Sequence, residues 1–234
     1  MDNSQDSQDS KLLNFKFTAT IDDKKTEELE NLRQEAERKA KEQAQLDWFA
    51  HQSGVPARYL KSSLDNFTPY TALQEKALDF CTVFSNHPKD RTLILCGPNG
   101  TGKTHLAAGI LRKVKGLYVT LLEILYSLDS AKSFRSSGTT MQILELFCKS
   151  PLLVIDEVGR GETAGQKERQ AEILYFILNE RYGACLPTVI CTNMGKVDLV
   201  RYMGEAVRDR LNETCIFCEL DGESRRGKNG TDIA

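Results

Sequence analysis

Over most of this chain the hydrophobic residues fall in short runs, and longer amphipathic stretches separate the runs. "RTLILC", "GLYVTLL", "PLLVIDEV", "PTVICTN" and "CIFCEL" are rich in Leu, Ile and Val, the composition of strands buried on both faces. Segments such as "QAEILYFILNERYG" lie between them, with apolar residues at helical spacing. Strands alternating with helices predict an α/β fold, a parallel sheet covered by helices on both faces. No repeat of solenoid period interrupts the pattern.

Before this region the pattern changes. "LNFKFTATI" places Leu13, Phe15, Phe17, Ala19 and Ile21 at alternate positions, which predicts a half-buried strand. A lone strand cannot hold itself together, so it needs cover from its own core or from a partner. From Asp22 to Gln45 the spacing turns helical and charged, and Glu35 and Lys39, like Glu37 and Lys41, form favourable i,i+4 pairs. The apolar stripe is thin, only Leu29, Leu32, Ala36 and Ala40, so the helix buries little. It reads either as a solvated face or as a partner-docking helix anchored by Leu46, Trp48 and Phe49. The "SQD" repeats of residues 1–11 predict disorder. Ser53–Phe67, with one glycine and one proline, reads as a connector.

Composition narrows the class. The 234 residues, 40% hydrophobic and 27% charged, are enough for one full core and a smaller attachment. A net charge of -2 gives no overall basic field, so any contact with nucleic acid must come from a local patch. The longest apolar runs are too short for a bilayer, and "MDNSQDSQDS" is too polar for a signal peptide. Seven scattered cysteines suit reduced, buried thiols and a cytoplasmic location. Cys215 and Cys218 form one CxxC, but His51, His87 and His105 supply no second ligand pair beside it. The two thiols therefore read as strand residues rather than as half of a zinc site.

The candidate chemistry begins where "LILC" stops. Gly97-Pro98-Asn99-Gly100-Thr101-Gly102-Lys103-Thr104 satisfies G-x-x-x-x-G-K-[ST], with His105 next. Backbone N–H groups that wrap a phosphate chain need residues without bulky side chains and with access to positive φ. The helix opening near Lys103 directs its positive end at the anion. Lys103 is expected on the β- and γ-phosphates, and the Thr104 hydroxyl on Mg²⁺. A second element, "PLLVIDEVG", delivers Asp156 to a strand end, beside the first loop if the two strands are neighbours. Asp156 would help to hold Mg²⁺ and Glu157 would polarise an attacking water. Asn193 ends "PTVICTN" and is placed to contact the γ-phosphate or its water. Arg208 and Arg210, in "GEAVRDRLNE", could stabilise transition-state charge.

Together these residues resemble an AAA+ ATPase, and more narrowly the bacterial DnaC-type loaders of the replicative helicase, over roughly Ser53 to Arg226. "GPNGTGKTHLAAGI", "LLVIDEVG", "CTNM", "MGEAVRDRL" and "SFRSSGTT" carry the resemblance. IstB-type transposition helpers are similar too. The resemblance implies a P-loop NTPase three-layer sandwich on a five-stranded parallel sheet, without a separate helical lid and preceded by a small N-terminal helical segment. It implies ATP with Mg²⁺, Asn193 as first sensor, Arg210 as a finger acting on a neighbouring subunit's nucleotide, and Arg226 as second sensor. Tyr126–Thr140 takes the place of an insertion that touches single-stranded DNA, with Phe134 stacking and Lys132 and Arg135 on phosphates. Some relatives carry a cysteine-ligated zinc module, whereas residues 1–80 here contain no cysteine.

The expected organisation is a docking segment over 1–54, a connector over 55–88, the ATPase domain over 89–220 and a polar tail over 221–234. The expected function is an ATPase that docks a hexameric replicative helicase through its N-terminal helix. It self-assembles into an ATP-bridged oligomer and delivers the helicase to single-stranded DNA, away from any membrane. The alternatives are an ATPase helper of a transposase, a nucleotide-gated DNA-binding switch with negligible turnover, and a small-molecule kinase.

Overall fold

The computed structural model describes residues 5–133, 137–161, 163–204 and 213–224. Its backbone divides into two compact units, Met1–Leu46 and Asp47–Ala234.

The first unit is helix throughout its described part, the bulk of α1 (Gln5–His51). This corrects two expectations: Leu13–Ile21 is helical rather than a strand, and the helix also takes in the "SQD" repeats from Gln5 onward. The physical reason lies in the backbone. A single alternating segment with no strand to pair with leaves its N–H and C=O groups unmet, and a helix satisfies them within itself. Every described side chain from Thr26 to Ala44 is exposed. Lys39 pairs with Glu35 at 2.8 Å as expected. Glu37, however, pairs with Arg33 one turn back, at 3.2 Å, rather than with Lys41.

The second unit begins in the last turn of α1, where Phe49 is buried in the core and Trp48 packs against it. Two of the three expected partner anchors are thus committed to their own fold. Five strands follow, β1 (Thr92–Cys96), β2 (Leu117–Thr120), β3 (Leu153–Val158), β4 (Thr188–Thr192) and β5 (Cys215–Glu219). All pairings are parallel, in the order β2-β3-β4-β1-β5. The alternation of each strand sorts its side chains between two cores. Leu93, Leu95, Val154, Val189 and Cys191 face one side, packed by α2 (Ala72–Asn86) and α3 (Lys103–Lys113). Ile94, Leu153, Ile155 and Ile190 face the other, packed by α4 (Leu121–Ser133), α5 (Ser137–Lys149), α6 (Ala164–Gly183) and α7 (Lys196–Met203). This is the expected three-layer α/β sandwich. Among the described residues no helix follows β5, and none is long and apolar enough to cross a membrane.

Local signals explain the boundaries. Thr71 caps α2 by accepting from Gln74 N–H, and Thr163 with Gln166 forms a capping box on α6. Leu64 and Phe67, from the stretch read as a connector, are buried in the first core. Cys218 faces that core while Cys215 packs against the second. Opposite faces of one strand cannot share a metal ion, so the two thiols cannot act together as half of one site.

Arg181, 1% exposed, staples the second layer together. It donates to the carbonyls of Phe147, Ser150 and Pro187 at 2.8, 2.8 and 2.6 Å, and to Thr188 Oγ1 at 2.9 Å. Burial pushes its guanidinium down to about 10.

Candidate nucleotide-binding site

The site forms at the C-terminal ends of β1, β3 and β4. After Cys96 the chain turns at Gly97 with φ 137°, where a Cβ would lie 1.9 Å from the Leu220 carbonyl. Gly102, at φ 106°, has the Phe67 ring where a Cβ would stand, 2.5 Å away. Only glycine fits either position. Gly102 occupies the N-cap of α3 without a side-chain acceptor, so the first N–H groups of that helix are left for an anion.

Lys103 is 8% exposed and folds over the loop, donating to the carbonyls of Gly97 and Pro98, each at 2.7 Å. Thr101, fully buried, ties the loop from inside by donating to Pro98 O at 3.0 Å. His105 turns away toward the Ser63 carbonyl and Asn66 Oδ1, 3.0 and 2.9 Å from its Nε2, and meets Phe67 edge-on.

β1 and β3 are not neighbours, because β4 lies between them. Asp156 nevertheless reaches the first loop: Thr104 Oγ1 donates to its Oδ2 at 2.8 Å. A break in register between Ile155 and Val158 frees the Asp-Glu pair from the β3–β4 ladder, and Thr192 Oγ1 pins the far side by donating to Val158 O at 2.8 Å. Glu157 sits there at φ 57°, a left-handed conformation that a non-glycine residue adopts only when its surroundings enforce it. Its backbone N–H donates to Asp156 Oδ1 at 2.7 Å, and its carboxylate accepts from Arg160 at 2.5 Å. From the end of β4, Asn193 donates to Asn99 Oδ1 of the loop at 2.9 Å.

Lys103, Thr104, Asp156, Glu157 and Asn193 line one polar cavity of about 480 Å³, together with Gly100, Gly102 and the Arg58–Tyr59 pair of a short 3₁₀ turn, Ala57–Tyr59. An uncapped helix N-terminus, a buried ammonium, and a hydroxyl beside a carboxylate make a donor set that fits a triphosphate with a hard divalent cation. Arg208, Arg210, Arg226, Phe134 and Arg135 lie outside the described residues, as does the side chain of Lys132.

Several lining or supporting residues escaped the sequence reading. Arg58, Tyr59 and Arg160 carry no motif. Tyr118, 7% exposed on β2, donates its hydroxyl to Asp156 Oδ2 at 2.7 Å. Burial and the adjacent carboxylate hold its phenol far above the usual range, so it is a fixed donor. Its one available signal was chemical: a tyrosine buried in an apolar strand must find a partner for its hydroxyl.

Known proteins resemble this chain in sequence and in fold. The family model described as "IstB-like ATP binding protein" matches residues 18–232. The replicative helicase loader DnaC of Escherichia coli (strain K12) is 30% identical over 169 residues, 69% of this chain and 67% of that protein. An ATP-binding protein of insertion sequence IS5376 from Geobacillus stearothermophilus is 26% identical over 202 residues, 82% of this chain and 77% of that protein. Among solved structures, that of the DnaC helicase loader superposes with a TM-score of 0.62 at 24% identity, covering 71% of this chain and all of that one. AMPPCP-bound DnaA from Aquifex aeolicus gives 0.56 at 16% identity, covering 71% of this chain and 51% of that one.

Proposed function

Because this chain belongs to the IstB-like ATP-binding protein family, we propose that it is an ATPase that loads a hexameric replicative helicase onto single-stranded DNA. The observation that carries the ATPase reading is the Thr104–Asp156 contact at 2.8 Å, which brings the phosphate loop and the Asp-Glu strand to one cavity across the intervening β4.

Each group then has a task. Lys103 leaves its loop carbonyls for the β- and γ-phosphates, and the amides at the start of α3 take the remaining phosphate charge. Thr104 and Asp156 would hold Mg²⁺, which supplies charge neutralisation between the phosphates. Glu157, held out of the β ladder, accepts a hydrogen bond from the attacking water and orients it. Asn193, already linked to the loop through Asn99, reads the γ-phosphate. Arg210 completes the site of a neighbouring subunit, so hydrolysis waits on assembly. Residues 1–54 dock the helicase, and 126–140 meet single-stranded DNA through Lys132, Phe134 and Arg135.

The loader reading draws support from the 30% identity with DnaC. A transposase helper is the second reading, favoured by the wider coverage of the insertion-sequence protein, 82% of this chain.

Equilibrium binding with ATP and Mg²⁺ tests the core. Lys103→Ala weakens affinity at least about tenfold, whereas Glu157→Gln keeps it within about twofold and lowers turnover about 100-fold. Wild-type affinity in Lys103→Ala ends the ATP reading. With ATP present the chain co-purifies with the replicative helicase, and removing residues 1–54 abolishes this without altering nucleotide affinity. Specific capture of a transposase instead selects the second reading.

A further inference from the structure

Asp156 is held by three donors. Oδ1 takes the N–H of Glu157 at 2.7 Å, while Oδ2 takes both Thr104 Oγ1 at 2.8 Å and the Tyr118 hydroxyl at 2.7 Å. Of the two donors on Oδ2, the threonine hydroxyl is the one a cation would recruit. The tyrosine remains as the fixed reference for that oxygen.

The geometry of the sheet explains why a tyrosine does this. Tyr118 lies opposite Val154 in the β2–β3 ladder, and Asp156 stands two residues further along the same face. A diagonal neighbour is separated by about 7–8 Å, within reach of an aromatic side chain and beyond that of a short one. The backbone beneath the ring is clamped as well. Tyr118 N–H donates to the carbonyl of the buried Ser53 at 2.7 Å, on the outer side of this edge strand. Gly54 approaches so closely that a Cβ there would stand 2.4 Å from the Tyr118 carbonyl. Ser53 is held in turn, its hydroxyl donating to Phe49 O at 2.6 Å. The hydroxyl of Tyr118 therefore has little freedom to follow Asp156 if the carboxylate rotates.

We propose that Tyr118 is a positioning residue of the metal–nucleotide site: it holds the Asp156 carboxylate against rotation, and so favours a cation with strict geometric demands. The inference rests on the ATP reading and adds metal selectivity to it. Mg²⁺ demands near-ideal octahedral geometry at about 2.0–2.1 Å, whereas Ca²⁺ accepts 6–8 ligands at about 2.3–2.6 Å in flexible arrangements. Loosening Asp156 should therefore penalise Mg²⁺ far more than Ca²⁺.

The test uses the full chain, a fluorescent ATP analogue, and titrations in EDTA, Mg²⁺ and Ca²⁺. Tyr118→Phe keeps the ring and removes only the hydroxyl. Its affinity in EDTA stays within about twofold of wild type, and the Mg²⁺ needed for half-maximal effect rises about tenfold, equivalent to about 1.4 kcal/mol. The Ca²⁺ requirement shifts no more than about twofold. In an Asp156→Asn background the same substitution adds no further Mg²⁺ shift. Equal losses with both ions and in EDTA, which a merely structural role would give, overturn the assignment, as does an unchanged Mg²⁺ requirement. An added shift on top of Asp156→Asn overturns the route through that carboxylate. A wild-type chain that binds no nucleotide under any condition overturns the ATP reading itself, and this assignment with it.

Discussion

From Thr26 to Ala44 every described side chain of α1 is exposed, whereas all five residues of β4 are buried. The helix meets its backbone hydrogen bonds within itself and steadies its surface with pairs such as Glu35–Lys39. The strand has no such independence: its N–H and C=O groups need β1 and β3, and its side chains need helices on both faces. One region is held by local contacts and leaves its side chains exposed. The other is held by burial, and that rigidity fixes Asp156, Glu157 and Asn193 around one cavity. Perturbations of burial should therefore act strongly and globally, and perturbations of the helix surface weakly and locally.

Alkaline titration is expected to separate the two most strongly. Burial raises Cys96 to about 11 and Cys218 to about 12, and lifts Cys81 and Cys191 well above the ordinary 9.0. The fold keeps these thiols neutral, while the unfolded chain ionises its thiols above about pH 9. Folding stability is thus fully present below pH 9 and falls as pH rises toward 11–12, by on the order of 1 kcal/mol per buried thiol at pH 10. Urea unfolding at pH 7.5, 9 and 10 measures it. A flat midpoint across that range would show the thiols to be solvated rather than core residues.

Arg181 comes next. Arg181→Leu removes a buried guanidinium that meets the carbonyls of Phe147, Cys148, Ser150 and Pro187 and the Thr188 hydroxyl. Each buried acceptor left unmet costs about 1–3 kcal/mol, offset in part by no longer burying a charge. A net loss of about 3 kcal/mol is expected in denaturant unfolding at constant slope, with Arg181→Lys intermediate. A loss below about 0.5 kcal/mol would place the staple outside the forces that hold the sheet.

The same contrast explains what could be read from the residues alone. Gly97 and Gly102 were legible because backbone that closely approached admits no other residue, and the Asp156–Glu157 pair because an apolar run ending in carboxylates marks a strand tip. Tyr118 and Arg181 were not, since Asp156, the partner of Tyr118, and Phe147 and Ser150, partners of Arg181, are distant in sequence and become neighbours only once β2 lies beside β3 and α6 beside α5. On its own strand Tyr118 is one more aromatic, and on its own helix Arg181 is one more surface cation. Leu13–Ile21 misled for the converse reason. Its alternation is a true local pattern, but a strand needs a neighbour, and the helical residues that follow offer none.

Glu35→Gln should give the smallest effect. The pair it breaks is 50% exposed at the glutamate and 68% at the lysine, and exposed i,i+4 pairs contribute about 0.3–0.5 kcal/mol. The urea midpoint of the sheet-bearing unit should stay within error. Far-UV helicity should drop slightly in low salt, and the difference should vanish near 1 M NaCl, where the screening length is about 3 Å. A midpoint shift comparable to that of Arg181→Leu would break the comparison, because it would mean that one exposed pair on α1 supports the stability of the buried sheet.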